Sequence, residues 1–176
     1  MAEQCIILMG VSGTGKTTVG QALAQALGAK FIDGDDLHPR HNILKMASGQ
    51  PLEDSDRQPW LERISDVIFS LGQKNESGVL VCSALKKRYR DQLRQDNRHL
   101  CFLWLTGDYD CILQRMQQRK GHFMPEALLR SQFAALEAPD DSETDIQPID
   151  ISTDVSSIVA RALTLLPSQP VQGIPA

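Results

Sequence analysis

The sequence predicts an α/β fold in three layers, with a five-stranded parallel sheet and helices on both of its faces. Two observations carry this prediction: short apolar segments recur along the chain, and segments with helical spacing separate them. Apolar runs without alternation are typical of strands buried on both faces of a parallel sheet. A third observation, a glycine-rich motif between the first strand and the first helix, indicates an anion site at the edge of that sheet.

Five strands and five helices are predicted along the chain. The predicted strands are CIILM (5–9), KFID (30–33), GVLVCS (78–83), LCFLWLT (100–106) and IQPIDIS (146–152). The predicted helices are KTTVGQALAQAL (16–27), DSDRQPWLERISDVIFSLGQ (54–73), ALKKRYRDQLRQ (84–95), YDCILQRMQQR (109–119) and MPEALLRSQFAALE (124–137). Trp60 begins an apolar stripe at helical spacing in the second helix, which predicts core packing.

The length of 176 residues fits one domain, predicted over residues 1–166 and followed by a proline-rich tail, 167–176, that is predicted to be disordered. The chain is 41% hydrophobic and 23% charged, as soluble globular proteins are, and no apolar run approaches the roughly 20 residues that span a membrane. The first residues lack the basic segment of a signal peptide, so a cytoplasmic location is expected.

Composition also limits the ligands. A net charge of −4 with 5% aromatic residues gives no basic, aromatic-interleaved groove for nucleic acid, so any anion site must be local. The four cysteines have no CxxC spacing, and buried free thiols are expected rather than a metal or redox site.

The segment GVSGTGKT fits the G-x-x-x-x-G-K-[ST] pattern of phosphate-binding loops, between a predicted strand and a predicted helix. Its glycines let backbone N–H groups turn toward phosphate oxygens, Lys16 would bridge the β- and γ-phosphates of ATP, and Thr17 offers a hydroxyl to Mg²⁺. A glycine-rich turn without a ligand is the weaker alternative, because the flanking strand and helix are also in place. The predicted nucleotide-binding residues are Gly10, Val11, Ser12, Gly13, Thr14, Gly15, Lys16 and Thr17.

The class of phosphate-loop protein follows by elimination. No N-K-x-D sequence that would read guanine is present, and motor or AAA-type ATPases need a longer chain. Small kinases remain, whose acceptor site lies at the carboxyl edge of the sheet.

Carboxylates follow the second predicted strand in FIDGDDLHPRHN (31–42), at that same edge. The third strand ends in Ser83, where many phosphate-loop proteins have an aspartate for the water shell of the metal. Asp33 is the predicted replacement near Mg²⁺, and Asp35 is the predicted general base for the attacking hydroxyl. A simple Asp-Gly turn is the alternative; it is favoured for Asp36, which is expected to cap the following helix.

A basic segment, SALKKRYR (83–90), places cations in the first turns of a predicted helix, where they oppose the helix dipole. A compensating anion would explain that placement. A solvated charged face is the alternative and is favoured for Arg88 and Arg94.

A second basic segment, RMQQRKGHF (115–123), places Arg115 and Arg119 four residues apart before a glycine-containing turn. This arrangement predicts a mobile lid over about residues 115–137 that brings arginine charge to the transferring phosphoryl group. Surface arginines without a catalytic role are the alternative. The predicted catalytic residues are therefore Lys16, Asp35 and Arg119, with Arg115 as a further nucleotide contact.

Four segments together resemble one family. GVSGTGKTT, FIDGDDLHPRHNILKMASGQPLEDSDRQPWL, VCSALKKRYRD and RKGHFMPEALLRSQFAALE are similar to segments of the gluconate kinases (gluconokinases), small P-loop carbohydrate kinases related in fold to shikimate and nucleoside monophosphate kinases. The resemblance runs from about residue 5 to residue 160. It implies a P-loop kinase fold with a helical lid, ATP-dependent phosphorylation of D-gluconate on its 6-hydroxyl, Mg²⁺, and a cytoplasmic homodimer. A kinase for shikimate or a related sugar acid is the alternative.

The resemblance assigns expected roles on the acceptor side. Gluconate needs hydrogen-bond acceptors for its hydroxyls and a cation for its carboxylate. Asp35 is expected to hold and deprotonate the 6-hydroxyl, while His38 and Asp33 bind neighbouring hydroxyls or metal-bound water. Either Arg57 or Lys87 is expected to meet the carboxylate.

Two of these residues have structural alternatives that the sequence leaves open. Arg57 could instead form an ion pair with Asp54 or Glu53 at the start of its helix. His38, beside a proline, could have a capping or packing role.

Overall fold

The structure is a computed structural model that describes residues 4–97, 99–119 and 125–167. The centre of the predicted lid and residues 168–176 of the predicted tail lie outside the described residues. The domain boundary at 166 and the lid limits therefore stay predictions.

The sheet is built from the strands β1 (Cys5–Met9), β2 (Lys30–Asp33), β3 (Gly78–Val81), β4 (Leu100–Thr106) and β5 (Ile146–Asp150). These five parallel strands lie in the order β2-β3-β1-β4-β5, which confirms the predicted sheet. Leu8 of β1 pairs with Val81 of β3 and Leu103 of β4. The carboxyl ends of the central strands therefore meet at one edge.

Helices cover both faces of the sheet, as predicted. Within the described residues they are α1 (Lys16–Leu27), α2 (Arg40–Ala47), α3 (Asp54–Gln73), α4 (Lys87–Arg94), α5 (Tyr109–Gln118), α6 (Glu126–Ala135) and α7 (Val155–Leu165), with a 3₁₀ turn at Gly34–Leu37. One core packs α1 and α7 against the sheet, and the other packs α3 and α4 against its opposite face. The apolar stripe of α3 that begins at Trp60 is buried, so the predicted core packing is confirmed.

Differences from the predicted elements are local. The helix α7 is absent from the predicted elements, although Ile158 and Ala162 bury one face of it at helical spacing. The expected cap at Asp36 is wrong: Asp33 caps the 3₁₀ turn by accepting the Asp35 N–H at 3.0 Å, and Pro39 precedes α2.

All four cysteines are free, and Cys5 and Cys82 are buried. Burial raises the pKa of each of these two thiols to about 12, so they are inert at neutral pH. None of the helices in the described part of the chain combines the length and the apolar character that crossing a membrane requires.

Candidate active site

The nucleotide loop, residues 10–17, connects β1 to α1 at the carboxyl edge of the sheet. Gly15, just before α1, has a φ of +86°, a conformation that glycine adopts without the strain of a side chain. The Gly10 N–H donates to the Ser83 carbonyl at 3.2 Å, and the buried Thr14 hydroxyl donates to the Val11 carbonyl at 3.1 Å. The loop is thus anchored to the end of β3 and braced from within.

Lys16 begins α1 and lies over the loop. Its Nζ donates to the carbonyls of Gly10 and Val11, each at 2.9 Å. Burial lowers the pKa of Lys16, while the charges of Asp35 and, more weakly, Asp33 oppose that shift. An ammonium held this way is ready to exchange carbonyl oxygens for phosphate oxygens.

The remaining predicted nucleotide contacts are spread around the loop. Thr17 is the second residue of α1 and is partly buried. Arg115, near the end of α5, donates from Nη2 to the Ile151 carbonyl. Arg119 follows α5 and is exposed, and its charge is among the weaker causes that lower the pKa of Lys16. The described contacts therefore give Arg119 only this weak influence on Lys16, whereas the Arg115 side chain is hydrogen-bonded just after β5.

The acidic turn that follows β2 is fixed against its neighbours. A Cβ on Gly34 would lie 2.2 Å from the Val81 carbonyl oxygen, so only glycine allows the turn to approach the end of β3 this closely. The indole Nε1 of Trp60 donates to the Gly34 carbonyl at 2.7 Å. The position of the carboxylates is therefore set by packing between β3 and α3.

The two predicted functional carboxylates differ in environment. Asp33 is partly buried; burial raises its pKa, with further contributions from Asp35 and Asp36, while the Asp35 N–H and Lys16 act in the opposite direction. The Asp35 side chain is 79% exposed, lines the cavity described below, and lies 3.8 Å from His38 Nε2. Asp35 is thus the carboxylate that a bound substrate can reach.

His38 is buried against Trp60, with ring centroids 4.3 Å apart and planes 13° from parallel. Its Nδ1 lies 3.2 Å from the Asn42 side-chain nitrogen, which also donates to the Asp56 carbonyl at 2.8 Å. Because an amide nitrogen can only donate, Nδ1 is the acceptor and Nε2 carries the proton, on the side of Asp35. Burial, and then the Arg57 charge, lower the pKa of His38 to about 4. His38 is therefore a neutral donor at pH 7.

A cavity of about 680 Å³ joins these groups, a volume in the range of small-molecule sites. Its walls come from the nucleotide loop, the acidic turn, the segment after α2, the start of α3, the end of β3, and α6. Among its lining residues are Ser12, Lys16, Asp35, His38, Arg57, Trp60, Ser83, Leu128, Ser131 and Gln132. The structure thus brings Lys16, Asp35, His38 and Arg57 to one cavity, and their predicted roles there stay predictions.

Cations lie where this cavity adjoins a second, open cavity of about 460 Å³. Arg57 lines both, donates to the Leu52 carbonyl at 2.7 Å, and places its guanidinium 5.6 Å from the centre of the Tyr89 ring. Lys86 lines the second cavity, 5.8 Å from the same ring centre and 3.0 Å from the Asp54 carboxylate. Glu53 and Asp54 line the second cavity too, and of its two cations only Lys86 has a carboxylate partner among the described contacts.

The other predicted cation, Lys87, is exposed and turned away from both cavities. It pairs with Asp91 one turn along α4, at 2.8 Å, and this hydrogen bond raises its pKa. The anion expected to compensate the cations of α4 belongs to the protein itself, because Asp54 pairs with Lys86 and Arg88. The Asp54 carboxylate is thus paired with cations at the start of α4. The described contacts of Arg57 include no ion pair with Asp54 or with Glu53, which was the structural alternative for Arg57.

Three buried or enclosed polar residues were not predicted from the sequence. Arg90 is fully buried and binds Glu143 through two hydrogen bonds of 2.7 Å. Asn42 holds the tautomer of His38, and the Gln132 side chain accepts the Ser12 N–H at 2.7 Å. The partners of Arg90 and Gln132 are distant in sequence, so no local pattern marks these two residues. Asn42 lies one helical turn after His38, and its second partner, the Asp56 carbonyl, belongs to α3.

Arg94, interpreted from the sequence as part of a solvated face, is instead a structural residue. It donates to Asp145 at 2.7 and 2.8 Å and to Glu143 at 2.9 Å, and its guanidinium lies 4.9 Å from the Phe102 ring centre. The solvated-face interpretation is wrong for Arg94. For Arg88, whose side chain is 57% exposed and pairs with Asp54, the position remains at the surface.

The chain is similar to known kinases over most of its length. Residues 12–161 match the shikimate kinase family. The chain is 60% identical over 161 residues to the thermosensitive gluconokinase of Escherichia coli K12, covering 92% of this chain and 86% of that protein. It is 48% identical over 160 residues to the thermoresistant gluconokinase of the same strain, covering 91% of each.

Solved structures agree with the sequence comparisons. The crystal structure of a gluconokinase from Sinorhizobium meliloti 1021 is 44% identical, with a TM-score of 0.84 over 92% of this chain and 90% of that one. A shikimate kinase from Aquifex aeolicus, 16% identical with a TM-score of 0.55 over 92% of this chain and 94% of that one, shares the fold alone.

Proposed function

The chain belongs to the gluconokinase family and also matches the shikimate kinase family, and we propose that its cavity binds D-gluconate with the 6-hydroxyl toward the nucleotide loop. The chain is a kinase that uses ATP to phosphorylate gluconate. The observation that supports the proposed orientation is a single cavity lined by Ser12 and Lys16 of the loop together with Asp35, His38 and Arg57. Phosphoryl donor and acceptor can meet in that space.

The nucleotide half acts through positioning and charge. We infer that the backbone N–H groups of residues 10–17 and the N-terminus of α1 hold the ATP phosphates. Lys16 then bridges the β- and γ-phosphate oxygens in place of the loop carbonyls that it now contacts. Arg119, at the start of the predicted lid, adds positive charge to the transferring phosphoryl group, and Arg115 is a further nucleotide contact.

Magnesium fits this donor set. In the part of the chain that the structure describes, no group of three or more His, Cys, Asp or Glu side chains could hold a metal ion. Mg²⁺ in kinases takes only one or two protein oxygens, because phosphate oxygens and water complete its shell. We propose that the Thr17 hydroxyl and the Asp33 carboxylate, which keeps one oxygen beyond its bond to the Asp35 N–H, hold this ion. When bound, it neutralises charge on the phosphates.

The acceptor half supplies the proton acceptor and the specificity. Asp35 takes the proton of the 6-hydroxyl as that oxygen attacks the γ-phosphorus, and the bond from phosphorus to the ADP oxygen breaks. His38, neutral with its proton on Nε2, donates to a substrate hydroxyl or orients Asp35. Arg57, whose side chain lines both cavities, meets the carboxylate at the far end.

The substrate assignment is tested by ADP release with gluconate, shikimate, gulonate, idonate and glucose. We expect kcat/KM for gluconate to exceed that for shikimate by about 100-fold or more, because a site built to bind an extended polyol acid leaves polar groups unpaired with a ring. Phosphorus–proton correlation in the product should place the phosphate on O6. A preference for shikimate or for another acid of the panel would contradict the assignment.

Two further parts of the proposal rest on family membership. We propose that the protein is cytoplasmic and forms a homodimer. Cell fractionation tests the first, and light scattering at several protein concentrations tests the second; a monomer throughout would contradict the dimer.

A further inference from the structure

Helix α6 forms a roof over the acceptor cavity. Leu128, Ser131 and Gln132 line the cavity, and Pro125, just before the helix, lines it as well. Leu128 lies three positions after Pro125, and Ser131 and Gln132 lie three and four positions after Leu128, so one face of α6 covers the cavity. The Gln132 Oε1 accepts the backbone N–H of Ser12 at 2.7 Å, a contact between residues 120 positions apart. The roof is therefore tied directly to the nucleotide loop.

The orientation of the Gln132 carboxamide follows from this bond. A backbone N–H only donates, so the side-chain oxygen must face Ser12, and the Nε2 group with its two protons lies on the other side. Within the described residues no protein acceptor is hydrogen-bonded to Nε2, and Gln132 lines the cavity. A neutral donor is thus available where the nucleotide loop meets the acceptor space.

The end of α6 is held in place by a buried network. The Glu137 N–H donates to the Leu85 carbonyl at 2.8 Å, and Arg90 Nη2 donates to the Glu137 carbonyl at 3.0 Å. Arg90 also binds the Ala84 carbonyl at 2.9 Å and the buried Glu143. The chain after α6 is therefore fixed to the cavity wall beyond β3, and this anchors Gln132 over the loop.

We propose that Gln132 is a catalytic residue whose Nε2 donates a hydrogen bond to the γ-phosphoryl group during transfer, while Oε1 keeps the Ser12 N–H. This inference rests on the proposed function and deepens it. The group in transfer passes between the loop, marked by Lys16, and the base Asp35, and Gln132 touches the loop at that junction. A glutamate here would still accept the Ser12 N–H but would place a negative charge beside a negative group.

The test compares nucleotides with and without a γ-phosphate. Calorimetry measures binding of ADP and of a non-hydrolysable ATP analogue, each with Mg²⁺, to wild type, Gln132→Glu and Gln132→Met. For Gln132→Glu we expect ADP affinity within about threefold of wild type, analogue affinity lower by about tenfold or more, and kcat lower by about 10². For Gln132→Met, which keeps the length without a donor, we expect the same pattern with a roughly tenfold loss of kcat.

Gln147→Glu is the matched control, because it adds the same charge at an exposed position of β5, outside the cavity. It should leave both affinities and kcat unchanged. Equal losses for ADP and the analogue, or a kcat within threefold of wild type, would overturn the proposal. If Gln132→Glu does not fold, the same comparison on Gln132→Met decides. Nucleotide binding needs no acceptor, so this result is separate from the substrate panel.

Discussion

The nucleotide loop is a run of eight residues, 10–17, that presents mainly backbone groups, whereas the acceptor cavity takes side chains from six separate parts of the chain. The loop needs glycine conformations and one lysine, and its internal bonds close over a few residues. The acceptor wall instead depends on long-range contacts, such as Trp60 with Gly34 and Gln132 with Ser12. Substitutions in the two regions should therefore fail in different ways.

That contrast has an electrostatic counterpart. On the nucleotide side, burial lowers the pKa of Lys16, the residue proposed to bind the phosphates. On the acceptor side, burial raises the pKa of Asp33 and holds His38 neutral, while Asp35 stays accessible. A cation that can bind phosphate and a carboxylate that a substrate hydroxyl can reach are complementary halves of phosphoryl transfer.

The largest effect is expected on the nucleotide side, from Lys16→Ala. Removing the one charge that bridges the transferred phosphoryl group should lower kcat with gluconate by about 10³ or more. Steady-state ADP release measures it, with Lys30→Ala as a control, because Lys30 is an exposed partner of Glu76. Near-normal turnover in Lys16→Ala would contradict the proposed role of Lys16 and its loop in phosphoryl transfer.

The next effect separates chemistry from binding on the acceptor side. Asp35→Asn should lower kcat by about 10² or more with KM for gluconate changed only a few-fold, because the amide cannot take the proton. A change confined to KM would instead make Asp35 a positioning group.

A smaller effect decides between the two candidates for the substrate carboxylate. Arg57→Gln should raise KM for gluconate by about 10- to 50-fold with kcat within about threefold, since a charge-assisted hydrogen bond to the ground state is lost. Lys87→Gln tests the alternative, and Arg161→Gln, an exposed arginine of α7, is the control. A large KM effect in Lys87→Gln with none in Arg57→Gln would assign the carboxylate to Lys87.

The smallest effect concerns stability and sharpens the role of His38. Its folded pKa of about 4 lies below the usual 6.5, so between these values the unfolded chain binds a proton that the folded chain does not. The stability contributed by neutral His38 is complete above about pH 6.5 and is lost as the pH falls toward 4. Urea unfolding of wild type and His38→Gln should show an extra loss of about 1 to 2 kcal/mol in wild type between pH 7 and 4.5. Parallel losses would mean that His38 titrates normally.

Much of the fold was predictable because its signals are local. The bounds of β1, β2, β4, α1 and α3 agree with the apolar runs and helical spacing in the sequence. The start of α4 was predicted at residue 84 but lies at Lys87. Ala84 has a φ of +45° and Lys86 is extended, while Arg90 binds the carbonyls of Ala84 and Leu85. Arg90 is itself held by Glu143, 53 residues further along the chain, so a network that includes this long-range pair overrides helix propensity at that position.

The candidate site divides in the same way. Lys16 and the loop followed from one motif, and Asp35 from its place after β2. Gln132 could not be identified, because nothing in SQF (131–133) shows that its neighbour is Ser12. Lys86 and Lys87 are adjacent and chemically identical, and only the direction of each side chain shows that Lys86 faces the cleft.

The sequence by itself determined the class of fold and the nucleotide site, because strand burial, helical spacing and a phosphate-binding loop are properties of consecutive residues. The tertiary structure decided which side chains face the acceptor, which ring nitrogen of His38 carries the proton, and how α6 contacts the loop. Those depend on packing between elements far apart in the chain, where a buried polar group must find its partner and the partner is set by the fold.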